Sequence, residues 1–385
     1  VTDPGAIFLT EEERLIQKTA RDFADKVLAP MASEIDAREE VPEELIARMA
    51  ELGFMGVLIP EEYGGPGLNN FCLTLIGIEL NRVCASTGAT FSVQNSLVSS
   101  PIIRFGTQDQ KRRYLPKIAK AEIIGGYSLT EPESGSDAAS LSTTAVKQGD
   151  WYILNGTKNF VTNGGIAKLF IIFARTHPDR SLRAKGISAF LVERDTEGLT
   201  VGKSEKKMGI RGSSTVELYL KDCKVHSSNL LGQENQGFKI AMDTLDGGRI
   251  GISSQAVGIA QACLDACIKY GKQRKQFGRY ISEFQAIQWK LADMATEIEA
   301  ARMLVYHASR LRDAGLPHTK EAAMAKLFSS SIANKAAREA VQVHGGVGYT
   351  VEFPVERFFR DAKITQIYEG TSEIQRIVIA RQLLR

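Results

Sequence analysis

The apolar residues near the C-terminus recur at a spacing that only a packed helix satisfies. Ile287, Leu291, Met294, Ile298, Ala301, Val305 and Ala308 alternate steps of four and three, which puts them on one stripe of a helix and predicts a bundle seam. Ser282 and Gln285 ahead of the stripe read as a capping box, and Gly315 ends it. A following helix, predicted over residues 320–343, is rich in Ala and Ser, which permits close helix approach. A last helix carries Ile374, Ile377, Val378 and Leu383.

The grammar differs upstream. Residues 1–120 read mainly as helix: Thr10 and Glu13 form a capping box, Leu15, Ile16, Phe23 and Val27 follow at near-helical spacing until Pro30, and Leu45, Met49 and Leu52 mark a second helix ending at Gly53. Between residues 120 and 230 the pattern is that of strands, with β-rich runs at 169–174, 187–192 and 216–220 and a turn expected at Asn155-Gly156. Strands without intervening helices point to an antiparallel barrel or sandwich. The expected domains are residues 1–120, 121–232 and 233–385, in keeping with a chain of 385 residues, too long for one ordinary core.

A formal net charge of +3 argues against a general nucleic-acid binder, and no apolar run is long enough for a membrane span. The polar opening, residues 1–4, does not read as a secretory signal. Cys72, Cys84, Cys223, Cys263 and Cys267 show no metal-ligand spacing and read as small buried residues. The histidines are far apart, and the dinucleotide, P-loop and His-Glu-x-x-His motifs are missing.

Four polar, glycine-containing clusters remain: residues 127–137, 155–164, 274–278, and the pair 344–349 and 368–373. Singly, each is more often a turn, Arg274 a solvated helix-end charge and Glu369 a solvated carboxylate. Jointly they hint at a ligand with hydroxyls, phosphates and a planar ring.

In this order the clusters resemble the signatures of the acyl-CoA dehydrogenases, over nearly the whole chain. Residues 127–137 look like the family's flavin-binding signature, departing from its commonest form at Glu133-Ser134; residues 249–265, 274–288 and 342–375 are similar to its C-terminal signatures. Residues 123–130, 186–192, 207–214 and the C-terminus look most like the short-chain, butyryl-CoA type. The resemblance implies an α+β multidomain fold with an N-terminal helical domain, a middle antiparallel β-barrel and a C-terminal four-helix bundle. It also implies bound FAD, a homotetramer and an electron-transferring flavoprotein as redox partner. The compartment would be the cytoplasm for a bacterial chain, or the mitochondrial matrix for a processed eukaryotic one.

By resemblance Glu369 is the base that takes the α-proton of an acyl-CoA thioester, while flavin N5 accepts the β-hydride. Its backbone N–H, with a ribityl hydroxyl of FAD, would hold the thioester oxygen, with Tyr368 and Gly370 flanking. Some relatives draw the base from a bundle helix instead; the matching stretch here, Asp246-Gly247-Gly248-Arg249, has glycine at that place. Tyr127, Leu129, Thr130, Phe160 and Thr162 match flavin-ring positions, with Phe160 where many relatives have Trp. Thr371 and Glu373 match contacts near the pyrophosphate and adenosine. Arg274, Phe277, Gln285, Gln342, Gly345 and Gly346 would reach the FAD of a neighbouring subunit. Ser136, Asp246 and Arg249 match the CoA channel, and residues 91–97 the floor of the acyl pocket. The favoured substrate is a short straight-chain acyl-CoA. Alternatives are a branched or cyclic acyl group, an acyl-CoA oxidase, the reverse enoyl-CoA reduction, or a non-catalytic FAD- or acyl-CoA-binding protein.

Overall fold

A computed structural model of the chain describes residues 8–384, so the polar opening at residues 1–4 lies outside the described residues. The N-terminal helices are α1 (Glu11–Phe23), α2 (Ala32–Arg38), α3 (Glu43–Glu51), α4 (Asn70–Val83), α5 (Ala85–Ser92), α6 (Ser100–Phe105) and α7 (Gln108–Ala119). The expected box starts α1: Glu13 N donates to Thr10 Oγ1 at 3.2 Å and Thr10 N to Glu13 Oε2 at 2.9 Å. Pro30 falls in a 3-10 turn that continues a π-helical stretch after α1, so it changes the helix type there without stopping the run. A second π-helical segment, Val93–Ser99, joins α5 to α6 and is buried throughout. Such a bulge shifts the register of side chains along a helix and often marks a functional site.

The strands are β1 (Gly125–Ser128), β2 (Thr144–Gln148), β3 (Trp151–Thr162), β4 (Leu169–Arg175), β5 (Ile187–Glu193), β6 (Leu199–Ser204), β7 (Thr215–His226) and β8 (Leu230–Leu231). Their order is β6-β7-β3-β2-β4-β5-β8, with β1 beside β4. Most pairings are antiparallel, as expected, but β1 and β2 both meet β4 in parallel. β4 is buried on both faces: Leu169, Ile171 and Phe173 pack with the helices, and Phe170, Ile172 and Ala174 with the other side of the sheet. That two-sided burial explains its unbroken apolar run.

The turn expected at Asn155-Gly156 does not form. β3 runs straight through it, with a register irregularity between Leu154 and Gly156. Gly156 is required there because a Cβ would strike the Thr143 backbone. The hairpin instead turns at Gly149-Asp150, between the paired residues Gln148 and Trp151.

The C-terminal part comprises α8 (Gly237–Gly271), a small hairpin of β9 (Lys275–Gln276) and β10 (Arg279–Tyr280), α9 (Gln285–Asp313), α10 (Thr319–His344), α11 (Val355–Ile364) and α12 (Ser372–Leu383). Met294, Ile298, Ala301, Val305 and Ala308 of the expected seam share one buried core with α8 and α10, and Ile287 and Leu291 pack at its edge. The capping box expected from Ser282 and Gln285 is absent; Phe284 is the N-cap of α9 and makes no side-chain cap bond. The box sits two residues earlier, between Tyr280 and Glu283. All five cysteines are buried and free.

Candidate functional site

Glu369 lies in the loop between α11 and α12. Its backbone adopts φ 52°, followed by Gly370 at φ 92°. A left-handed conformation costs a non-glycine residue about 1–2 kcal/mol, so the surroundings must hold it. They do: Lys326 Nζ and Gln375 Nε2 each donate to Gly370 O at 2.7 Å, Gln375 Nε2 also reaches Glu369 O at 3.3 Å, and Ser372 N closes the loop onto Gln366 O at 3.0 Å.

This turn aims the carboxylate back against α8. Glu369 as a residue keeps some surface, yet its Oε2 is sealed from solvent and has no hydrogen-bond partner. A Cβ at Gly248 would collide with that oxygen. Gly247 likewise leaves room for the Arg312 guanidinium. Two adjacent glycines inside a long helix cost about 1 kcal/mol each relative to alanine, and close approach on both faces is what retains them. Burial pushes the Glu369 carboxyl up to about 7, against the opposing pull of Lys326 and Arg249.

Neighbouring groups complete the slot. Tyr368 Oη donates to Gln255 Oε1, and Gln255 Nε2 to Ala85 O at 3.1 Å. Arg249 pairs with Asp246, whose other oxygen accepts from Thr319 Oγ1 at 2.6 Å. The Tyr127 hydroxyl is buried without a partner, and burial together with the Glu369 charge keeps it protonated. A cavity of about 10 Å³ runs between α4, α5, the π segment and α8, lined in part by Phe91, Ser92, Ser96, Gly247 and Gly251. Residues 91–97 thus face α8 across this cavity.

The β side is presented by strand ends. Leu129 is buried and Thr130 half-buried just after β1. A second irregularity in β3, between Lys158 and Val161, throws Phe160 outward at φ 56°, with 64% of its surface exposed, and leaves Thr162 half-buried at the strand end. Asn159 N donates to Thr130 O at 2.9 Å, tying this bulge to the β1 loop. Beneath it lies a pair that sequence reasoning did not single out. Lys158 Nζ donates to Glu131 Oε1 at 2.7 Å and to Leu129 O at 3.3 Å, fully buried.

Burial pushes the Glu131 carboxyl up, but Lys158 and the Ser142 and Thr143 donors outweigh it and hold it down at about 2. Its stabilisation is therefore present above the unfolded value of 4.5 and is lost as pH falls toward about 2. Glu369 has the opposite sign: raised from 4.5 to about 7, it destabilises the fold progressively as pH rises between those values. Glu369→Gln is accordingly expected to raise the thermal midpoint relative to wild type at pH 8 and to lose that advantage near pH 4. Calorimetry at both values checks this.

The remaining candidates lie outside the slot. Thr371 caps α12, accepting from Ile374 N at 3.4 Å, and Glu373 sits exposed in its first turn. Both line an open cavity of about 290 Å³ with Leu327, Lys363 and Arg376. Arg274, Phe277, Gln285, Gln342, Gly345 and Gly346 are all exposed, Phe277 at 93% on the tip of the β9–β10 hairpin. Ser136 is exposed in the loop after β1. Gly248, Glu131, Lys158 and Lys326 complete the surroundings; the readable signal for the lysines is a charge on an otherwise small or apolar buried face.

Family models for the acyl-CoA dehydrogenase N-terminal, middle and C-terminal domains match residues 10–122, 126–223 and 235–384. The chain belongs to the acyl-CoA dehydrogenase family. It is 48% identical to the short-chain specific acyl-CoA dehydrogenase of Clostridium acetobutylicum, over 98% of this chain and 99% of the relative. Its fold matches butyryl-CoA dehydrogenase from Megasphaera elsdenii with a TM-score of 0.95 at 46% identity, covering 98% of this chain and 99% of that one. A chain solved in work on the electron transferring flavoprotein of Acidaminococcus fermentans matches with a TM-score of 0.96 at 52% identity, again over 98% and 99%. This acyl-CoA dehydrogenase family member is thus an oxidoreductase built on three parts, helical at both ends and β in the middle. Among the described residues no helix is long and apolar enough to cross a membrane.

Proposed function

We propose that the protein converts a short-chain acyl-CoA to the trans-2-enoyl-CoA, with Glu369 abstracting the α-proton and FAD as the bound oxidant. The observation that carries this is the sealed, unpartnered Glu369 Oε2, held by a strained turn and raised to about 7. A structural carboxylate would be paired or solvated; one poised near neutrality without a partner suits proton abstraction.

The residues present fit a flat, polar-edged cofactor. Tyr127 Oη, Asn159 Oδ1 and Glu369 Oε2 are buried polar atoms without protein partners, and the β3 bulge displays the Phe160 ring to the outside. Tyr127, Leu129, Thr130, Phe160 and Thr162 would hold the ring, and Thr371 and Glu373 the pyrophosphate and adenosine end. Bound FAD supplies an acceptor for the β-hydride at its N5 atom. Glu369 takes the α-proton, and its backbone N–H bears the thioester oxygen as enolate charge grows. Tyr368 and Gly370 flank the reacting carbons, while Ser136, Asp246 and Arg249 line the path of the CoA. The rate of proton abstraction rises with pH through about 7, because only the ionised carboxylate accepts.

A short acyl chain is the favoured substrate, supported by the likeness to the short-chain specific relative and to butyryl-CoA dehydrogenase. In this reading the exposed set of Arg274, Phe277, Gln285, Gln342, Gly345 and Gly346 serves a neighbouring subunit's FAD, which ties cofactor retention to a homotetramer. An electron-transferring flavoprotein is the proposed electron acceptor, supported by the Acidaminococcus neighbour.

Anaerobic titration of the oxidised protein with butyryl-CoA tests the reaction. Bleaching of the visible flavin band with crotonyl-CoA recovered is expected; protein that cannot be loaded with FAD would defeat the proposal. Gly248→Ala should reduce the bleaching rate by at least about 10²-fold while FAD stays bound, since a displacement of about 1 Å at a reacting group has that effect. Stopped-flow absorbance reads both. Arg274→Ala should weaken FAD retention, measured as flavin lost on gel filtration.

A further inference from the structure

Among the described residues two lysines are fully buried, Lys158 and Lys326. Lys158 faces a carboxylate, Glu131, at 2.7 Å. Lys326 faces a carbonyl, Gly370 O, at 2.7 Å. Burying an ammonium costs several kcal/mol of solvation, so a charge placed against a carbonyl implies that something else nearby repays or uses it. Lys326 stands on the stripe of α10 formed by Ala322, Ser329, Ser330 and Ala333, all buried, where a small residue would pack without that cost.

The charges that act on Lys326 are Glu369 and Glu373, which attract, and Arg249, which repels. Those that act on Glu369 are Lys326 from α10 and Arg249 from α8. Tyr127 from β1 and Tyr368 from the same loop lie near it as neutral phenols. Arg249 already has a carboxylate of its own in Asp246. Lys326 is therefore the cation left for Glu369, one residue removed along the loop whose carbonyl it holds.

We propose that Lys326 is a positioning residue for α-proton abstraction: its ammonium fixes the Glu369-Gly370 turn through the Gly370 carbonyl and allows the Glu369 carboxylate to exist as an anion in an apolar slot. This rests on Glu369 being the base. The two roles are separable because Gln375 Nε2 donates to the same carbonyl at 2.7 Å. Without Lys326 the turn keeps its Gln375 and Ser372 anchors, while the electrostatic support disappears. Removing a nearby opposite charge raises a carboxyl pKa by about 1–3 units.

The test is the rate of flavin reduction by butyryl-CoA, measured anaerobically from mildly acid to mildly alkaline pH, in wild type, Lys326→Met and Lys326→Arg. Lys326→Met is expected to move the rising limb at least about one unit toward alkaline pH, with about tenfold slower reduction at neutral pH. Lys326→Arg should keep the limb close to wild type. If Lys326→Met does not load FAD, Lys326→Gln, which keeps a donor for Gly370 O but no charge, serves the same comparison. An unshifted limb in the neutral variant, or an equal shift in Lys326→Arg, overturns the inference while leaving the reaction intact. Wild-type holoprotein that butyryl-CoA does not reduce at any pH overturns the reaction itself, and this inference with it.

Discussion

Glu369→Gln should slow flavin reduction by butyryl-CoA by about 10²–10⁴-fold or more, the range that a positioned general base contributes. The substitution is isosteric, so the turn held by Lys326 and Gln375 through Gly370 O should persist. FAD content and the perturbation of the flavin band on ligand binding should therefore stay near wild type. That split separates a lost base from a lost fold. Reduction within tenfold of wild type would remove Glu369 from the reaction and turn attention to another group near the slot, of which α8 offers none at Gly248.

Lys158→Met should destabilise the protein by about 3–5 kcal/mol, the usual consequence of stranding one member of a buried ion pair. Glu131 would remain in the interior with its Ser142 and Thr143 donors but without the cation 2.7 Å away. The deficit should shrink as pH falls and Glu131 takes up a proton. The double change Lys158→Met with Glu131→Gln should recover much of the loss, because a neutral pair removes the stranded charge. Lys158 also donates to Leu129 O, so the single variant should release FAD more readily than wild type. Thermal unfolding and flavin retention across pH measure both effects. A single variant as stable as wild type would mean that water reaches this pair.

The architecture was legible wherever one face of an element meets one core. The stripe from Ile287 to Ala308 reads directly onto the shared core of α8, α9 and α10, because its period reports a single buried side. The Thr10 and Glu13 box was equally plain, since both partners are local. Asn155-Gly156 misled because Gly serves two purposes: here it admits the Thr143 backbone inside a strand instead of making a turn. The cap of α9 was misplaced by two residues, with Phe284 as its N-cap and Tyr280 and Glu283 forming the box on a preceding 3-10 turn. The two π segments leave no mark in a period of 3.6.

The site divides along the same line. Glu369 with its glycine neighbour was visible by resemblance, but the groups that set its poise were not. That depends on Gly248, Lys326 and Arg249, which come from two other helices. Lys158 and Glu131 were within reach of sequence reasoning only as polar residues amid apolar strand ends. Their partnership spans 27 positions, from the loop after β1 to β3.

The most direct measurement of the central claim uses a thioester that cannot complete the reaction. Methylthioacetyl-CoA has α-hydrogens but no β C–H to give up, so any exchange of its α-hydrogens with deuterated solvent reports proton abstraction alone. Followed by NMR with the FAD-loaded protein, exchange should be fast in wild type and rise with pH around 7, where Glu369 ionises. It should be absent in Glu369→Gln. Exchange at the wild-type rate in that variant would show that another group removes the α-proton.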